Sequence, residues 1–116
     1  MVIGQGDVFW ANLPGPFQKP GRPRPVVVIQ SDVFNRTAIG STVVCQITSN
    51  LQRAYNAGNV RLAKGEANLP KRSVVNITQI STVLRDDLIE KIGTLSPDRT
   101  REILAGVHLL LRPALK

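Results

Sequence analysis

The chain has one cysteine and one histidine in 116 residues. A lone Cys45 makes no internal disulfide, and Cys45 with His108 falls short of a zinc ligand set. A single histidine also excludes the paired-imidazole acid–base arrangement of pancreatic-type ribonucleases. Acids are scarce too: eight Asp and Glu, of which only Asp86-Asp87 are adjacent. Adjacent side chains diverge in a strand or turn, so this pair reads as a turn signal rather than a cation site. No apolar run approaches the ~20 residues of a spanning helix. The start, MVIGQGDVFW, has neither the basic stretch nor the apolar core of a signal peptide. Repeats, low-complexity runs and linkers are missing as well. These absences predict a soluble cytoplasmic chain, one domain over 1–116, with no metal, no cofactor and no membrane.

What is present is positive charge. Fifteen Lys and Arg give a formal net charge of +7, and the pI is near 10.6. The excess is uneven. Residues 1–72 carry nine Lys/Arg against three acids, whereas residues 73–116 carry six against five. A merely solubilising surface would spread its charge, so the bias predicts a basic face for a polyanion. Hydrophobic content of 42% supplies an ordinary globular core.

The pattern along the chain is mostly β. DVFWANL (7–13) reads as a strand, and PGPFQKPGRP (14–23) as a loop because of its four prolines and two glycines. PVVVIQ (25–30) is apolar on both faces, which predicts a central strand. SDVFNRT (31–37) reads as a turn of helix capped by Ser31 or Asp32. In TVVCQIT (42–48), Val43, Cys45 and Ile47 share one face and Val44, Gln46 and Thr48 the other. NVRLA (59–63) and SVVNITQIS (73–81) are further strands around the basic turn KGEANLPKR (64–72). The end is a helix: Ser96 caps it, Pro97 opens it and Asp98 complements its dipole. Thr100, Ile103, Leu104, Val107, Leu110 and Leu111 form its apolar stripe, and Pro113 stops it. Short strands and a late amphipathic helix predict a small, mainly β (α+β) barrel closed by that helix.

Two segments carry chemistry. Pro23 and Pro25 stiffen the backbone around Arg24 at a strand entrance. Thr48, Ser49 and Asn50 place three small hydrogen-bonding side chains at a strand exit. A rigid guanidinium beside clustered hydroxyls suits phosphate. Trp10 reads as a core residue and Cys45 as a small buried hydrophobe. His108, at the edge of the stripe, reads as structural or solvent-facing.

GDVFWANL (6–13), RPVVVIQSDVFNR (24–36), VCQITSN (44–50), SVVNITQIST (73–82) and KIGTLSPD (91–98) stand in the order and spacing of the MazF/PemK toxins. The chain resembles these endoribonucleases of bacterial toxin–antitoxin pairs from about Gly6 to Leu111. The resemblance implies an SH3-like barrel and sequence-specific, metal-independent cleavage of single-stranded RNA through its 2′-hydroxyl. It also implies a homodimer and neutralisation by a cognate antitoxin, and the basic surface predicts that this partner is acidic. It places Arg24 and Thr48 on the family's catalytic arginine and threonine. Arginine stays protonated in proteins, so electrostatic clamping of the phosphate is the role expected of Arg24. Ser49 and Asn50 become candidates for phosphate or base contacts.

Phe17, with Lys19 and Arg22, is a candidate aromatic platform for single-stranded RNA, the alternative being a loop aromatic folded onto the barrel. Asn76 and Gln79 are candidates for reading base edges, with a structural role open for Gln79. The chain departs from the family in lacking the glutamate of the 14–23 loop, and Thr78 precedes Gln79 where relatives often have Asp. Two non-enzymatic readings share the barrel: a basic RNA-binding module, and a gyrase poison of the CcdB type. The latter needs a C-terminal tryptophan, and this chain ends LLLRPALK.

Overall fold

The computed structural model describes residues 1–13 and 22–114. Six strands form one antiparallel sheet: β1 (Asp7–Ala11), β2 (Arg24–Val28), β3 (Ser41–Thr48), β4 (Val60–Leu62), β5 (Ser73–Leu84) and β6 (Leu88–Thr94). Their order is β4-β5-β3-β2-β1-β6, so β2 is interior as its two-sided apolar pattern predicts. Among the described residues two α-helices accompany the sheet, α1 (Asp32–Asn35) and α2 (Pro97–Leu111).

Alternation sorts the strand residues into two cores. Val8, Val27, Cys45, Ile47, Val60, Leu62, Val75 and Ile77 come from β1 to β5 and pack together with Leu69, Leu95 and Ile103. That face is the inside of the curled sheet, and α2 closes it with the fully buried Ile103. Truncating Ile103 to Ala would cost about 2–5 kcal/mol, as large-to-small core changes do. Phe9, Val26, Val28, Val44, Val83 and Leu88 form the second core on the opposite face, covered by Ile3. The architecture is mainly β with a C-terminal helix, as the patterning predicts, its six strands curled into a half-barrel.

Several local expectations hold. Ser31 caps α1, accepting from the Val33 N–H. Asp32 accepts instead from the Gln5 N–H at 2.8 Å, a bond that holds its carboxyl below the ordinary aspartate value. Ser96 caps α2 by accepting from the Arg99 N–H, and Pro97 stands at its start. Asp86 and Asp87 lie in a 3₁₀ turn, Arg85–Asp87. Cys45 is fully buried, and burial pushes its thiol up to about 12, leaving it an inert hydrophobe.

Others are corrected. Leu110 and Leu111, placed on the apolar stripe, are exposed, and the buried part of the helix lies nearer its start, at Ile103 and Gly106. The strand expected over 73–81 runs on to Leu84, and β6 follows it, an edge strand whose mixed exposure hides the period. Trp10, expected in the core, is only half-buried. It shares the face of Val8 by alternation, yet it pairs with Pro25 at the end of the sheet, beyond the packed interior.

One irregularity matters for the site. Cys45 pairs with Ile80 but Gln46 with Asn76, so residues 77–79 of β5 have no partner on β3. The Ile77 N–H donates to the Asn59 side chain at 3.0 Å instead. Such bulges bend a strand and increase its twist, which curls the sheet.

Candidate active site

Register assembles the site. β2 and β3 pair as Val26 with Gln46, Val27 with Cys45 and Val28 with Val44. Carried two residues further, the same antiparallel register sets Arg24 opposite Thr48. Directly opposed residues share a face, with Cβ atoms about 4.5–5.5 Å apart. On the other side of Thr48 stands Val74 of β5. The stiffened strand entrance and the hydroxyl-bearing strand exit are therefore neighbours.

They open on a cleft of about 440 Å³. Arg22, Arg24 and Lys71 supply its cations, and Thr48, Ser49 and Ser73 its hydroxyls. Trp10 forms an aromatic wall, and the core residues Ile47 and Leu69 form the floor. No carboxylate lines it among the described residues. Among those residues, too, none of the three cations is paired with an acid. Three uncompensated cations above an apolar floor make an anion site, since little opposes their field there.

Thr48 is oriented by its own turn. Its Oγ1 accepts the Asn50 N–H at 3.1 Å, which leaves the hydroxyl proton free to donate into the cleft. The Asn50 side chain accepts from the Gln52 N–H, capping the 3₁₀ turn Leu51–Tyr55. Asn50 thus shapes the strand exit through both its backbone and its side chain.

The wall bearing Lys71 is held in a strained conformation. Ala67 and Asn68 both have left-handed backbones, at φ 48° and 60°, a geometry that costs non-glycine residues about 1 kcal/mol or more. Three ties maintain it. Glu66 accepts from the Ala63 N–H at 2.6 Å and from the Arg99 guanidinium of α2 at 2.8 Å. The Asn68 amide donates to the Ile92 carbonyl of β6 at 3.0 Å. Gly93 completes the fit, since a Cβ there would run into the Ala67 backbone. Arg99 holds the Glu66 carboxyl below the ordinary glutamate value.

Of the residues singled out from sequence, Arg22, Arg24, Thr48 and Ser49 meet in this cleft, with Asn50 just behind. Phe17 and Lys19 lie outside the described residues. Asn76 and Gln79 do not line the cleft. Asn76 is half-buried, accepting from Thr78 at 3.1 Å and from Asn59 at 3.4 Å, while Gln79 stands exposed in the bulge. Trp10, Lys71 and Ser73 went unrecognised. The basic run KGEANLPKR held a signal for Lys71; Trp10 and Ser73 gave none until pairing placed them.

Comparison with known proteins agrees with the geometry. Residues 4–111 match the family described as PemK-like, MazF-like toxin of type II toxin-antitoxin system. Endoribonuclease MazF2 of Mycobacterium bovis is 37% identical over 112 residues, covering 96% of this chain and 98% of that relative. Endoribonuclease MazF6 of Mycobacterium tuberculosis H37Rv matches to the same extent, 37% over 112 residues with 96% and 98% coverage. Among solved structures, a mycobacterial endoribonuclease in complex with its cognate antitoxin superposes with a TM-score of 0.77 at 19% identity. That superposition covers 97% of this chain and 98% of the other. The chain belongs to the PemK-like, MazF-like toxin family of type II toxin–antitoxin systems.

Proposed function

We propose that this chain is a cytoplasmic endoribonuclease toxin, one domain over 1–116, that cleaves single-stranded RNA at the Arg24–Thr48 cleft. The observation that carries the reading is that Arg24 and Thr48 line one cleft together with unpaired cations, as the β2–β3 register extended by two residues would have it. The 37% identity to proteins named endoribonuclease, over nearly the whole chain, supports it.

In this reading the scissile phosphate lies between Arg24 and Thr48. The 2′-oxygen of the preceding ribose attacks phosphorus and the bond to the 5′-oxygen breaks, giving a 2′,3′-cyclic phosphate and a 5′-hydroxyl. Arg24 clamps the non-bridging oxygens, whose negative charge grows in the transition state. The Thr48 hydroxyl, its acceptor side occupied by Asn50, donates to the same phosphate or towards the leaving oxygen. Arg22, Lys71 and Ser49 hold the flanking backbone. The described cleft residues include neither a carboxylate nor a histidine, so the 2′-proton departs to solvent, solvent returns one to the leaving 5′-oxygen, and acceleration comes chiefly from electrostatic stabilisation.

Neutralisation follows from the same surface. One structural neighbour is a mycobacterial endoribonuclease in complex with its cognate antitoxin, and another is MazE-MazF from Deinococcus radiodurans. An acidic segment, disordered until bound, would mask the cleft cations of this chain. The toxin assembles as a homodimer, for which the exposed Val33, Phe34, Ile39 and Leu84 provide apolar surface.

The test is incubation of the purified protein with RNA in excess EDTA. Defined fragments ending in cyclic phosphate, abolished by a 2′-deoxy substitution at the cleaved nucleotide, are expected. Cleavage of the deoxy substrate, or strict dependence on added Mg²⁺, would overturn the mechanism. Retention of RNA without fragments would reduce the chain to a binding module.

A further inference from the structure

Beside the cleft lies a second hollow of about 340 Å³, lined by Leu51, Gln52, Tyr55, Arg61, Arg72 and Ser73 among others. Ser73 lines both hollows, and Lys71 of the first is followed directly by Arg72 of the second. Tyr55 is the only tyrosine of the chain, and it is 80% exposed. An aromatic of this size costs free energy to leave in water, and nothing in the core uses it. It is nevertheless held in place. Tyr55 ends the 3₁₀ turn Leu51–Tyr55 that Asn50 caps, and the Arg61 guanidinium lies 5.6 Å from its ring centroid.

Register ties this pair to the cleft. Arg61 pairs with Val74, and Val74 pairs with Thr48. The row Arg24, Thr48, Val74, Arg61 therefore runs across one face of four neighbouring strands. Three strand spacings put Arg61 about 14 Å along the sheet from Arg24, a reach of a few nucleotides of extended single strand. An exposed aromatic face flanked by guanidinium groups, continuous with a phosphate site, has the construction of a base-stacking platform.

We infer that Tyr55, backed by Arg61, stacks a nucleobase of the RNA a few nucleotides from the scissile phosphate, while Arg72 meets the intervening backbone. The inference rests on the endoribonuclease reading and extends it: the Arg24–Thr48 cleft acts on phosphate, whereas this hollow grips a base. Stacking tolerates any base, so the subsite contributes affinity and register more than sequence choice.

The test uses the full chain and short single-stranded RNAs, 2′-O-methylated throughout so that they are not cut. Each carries one 2-aminopurine, stepped along the strand. Wild-type protein should quench the probe at one position, on one side of the cleavage point and a few nucleotides from it. Tyr55→Ala should abolish that quench and raise Kd roughly five- to a hundredfold; Tyr55→Phe should keep both. Because Tyr55 is so exposed, its truncation leaves the fold intact, and an unchanged melting temperature will show that. Unchanged quenching and Kd in Tyr55→Ala would overturn the subsite while leaving the nuclease reading standing. So would an unchanged RNA Kd accompanied by weaker binding of an acidic antitoxin-tail peptide, which would assign the ring to the protein partner. Wild-type protein that neither binds nor cuts RNA would overturn both readings.

Discussion

The cations of the cleft and those of α2 are alike in chemistry and opposite in circumstance. On the helix, Arg99 is bonded to Glu66 and Glu102, and Arg101 to Asp98. Around the cleft, Arg22, Arg24 and Lys71 have no acidic partner among the described residues. A paired guanidinium spends its field on a neighbour; an unpaired one projects it to a ligand. Net charge therefore says little about where an anion will bind. Pairing says more: it takes up Arg99 and Arg101 on α2 and leaves the cleft cations uncompensated.

Removing the central unpaired cation should break that contrast most. Arg24→Ala should lower the cleavage rate by about 10²–10³, the usual loss when one preorganised donor to a developing oxyanion is removed. Arg24→Lys should recover only part of it, because an ammonium lacks the two-pronged geometry of guanidinium. Both variants should keep the wild-type melting temperature, since Arg24 is exposed and unpaired. An Arg24→Ala protein retaining more than roughly a tenth of the activity would refute the clamp.

Thr48→Val should come next, with a loss of about tenfold to a hundredfold from one missing neutral donor. The substitution keeps the β-branched shape, so the strand survives, while the Asn50 N–H loses its acceptor. Thr48→Ser keeps the hydroxyl and should stay near wild type. Single-turnover rates at saturating protein would separate this loss from weaker binding; equal activity in Val and Ser variants would sink the role given to the hydroxyl.

Salt dependence sharpens the comparison directly. Each phosphate contact to single-stranded RNA adds about 0.7 to the slope of log affinity against log salt. Arg22→Gln together with Lys71→Gln should thus lower the slope by about 1.4. Arg101→Gln on α2 should leave it unchanged, although it removes the same kind of charge. Fluorescence anisotropy over a salt series gives both slopes, and matching changes would mean that pairing does not decide which cations meet RNA.

The legible and illegible parts of this molecule differ in how far apart the deciding residues stand. Arg24 and Thr48 could be picked out because their signals are local: prolines around the arginine, small polar residues after an apolar strand. Their opposition could not, because it depends on the β2–β3 register, which chain between the strands does not reveal. Trp10 was misjudged for the same reason. Alternation gives its face, but only pairing with Pro25 shows that this face has left the core. Asn76 and Gln79 seemed ready to read bases from their place in a polar strand segment. Neither lines the cleft: Asn76 engages Thr78 and Asn59, and Gln79 stands exposed in the bulge of β5. The barrel itself was readable from β2 and β3, whose two-sided apolar pattern admits only an interior position, whereas β6 was hidden by the mixed exposure of an edge strand.

The smallest expected effect concerns Glu66, the acid that α2 shares with the cleft wall. Arg99 holds the Glu66 carboxyl below its ordinary value in the folded chain. The unfolded chain therefore binds that proton more readily. The contact stabilises the fold at pH above the unfolded-state value and is lost as pH falls through the folded-state value. Both side chains are about a quarter to a third exposed, at 25% and 32%, so solvent screening limits the contribution to about 1 kcal/mol or less. Glu66→Gln should lower the melting temperature by a few degrees at pH 7, with the difference from wild type shrinking as pH drops below the carboxylate range. The cleft should register the change as well. Without the Arg99 tie, the left-handed backbone at Ala67 and Asn68 keeps only the Asn68–Ile92 bond and the weakened Glu66 cap. Lys71 would then wander, and RNA affinity should fall by a few-fold while the single-turnover rate of bound RNA holds. A melting temperature difference independent of pH would show that the loss comes from packing, and that the ion pair does not brace the wall.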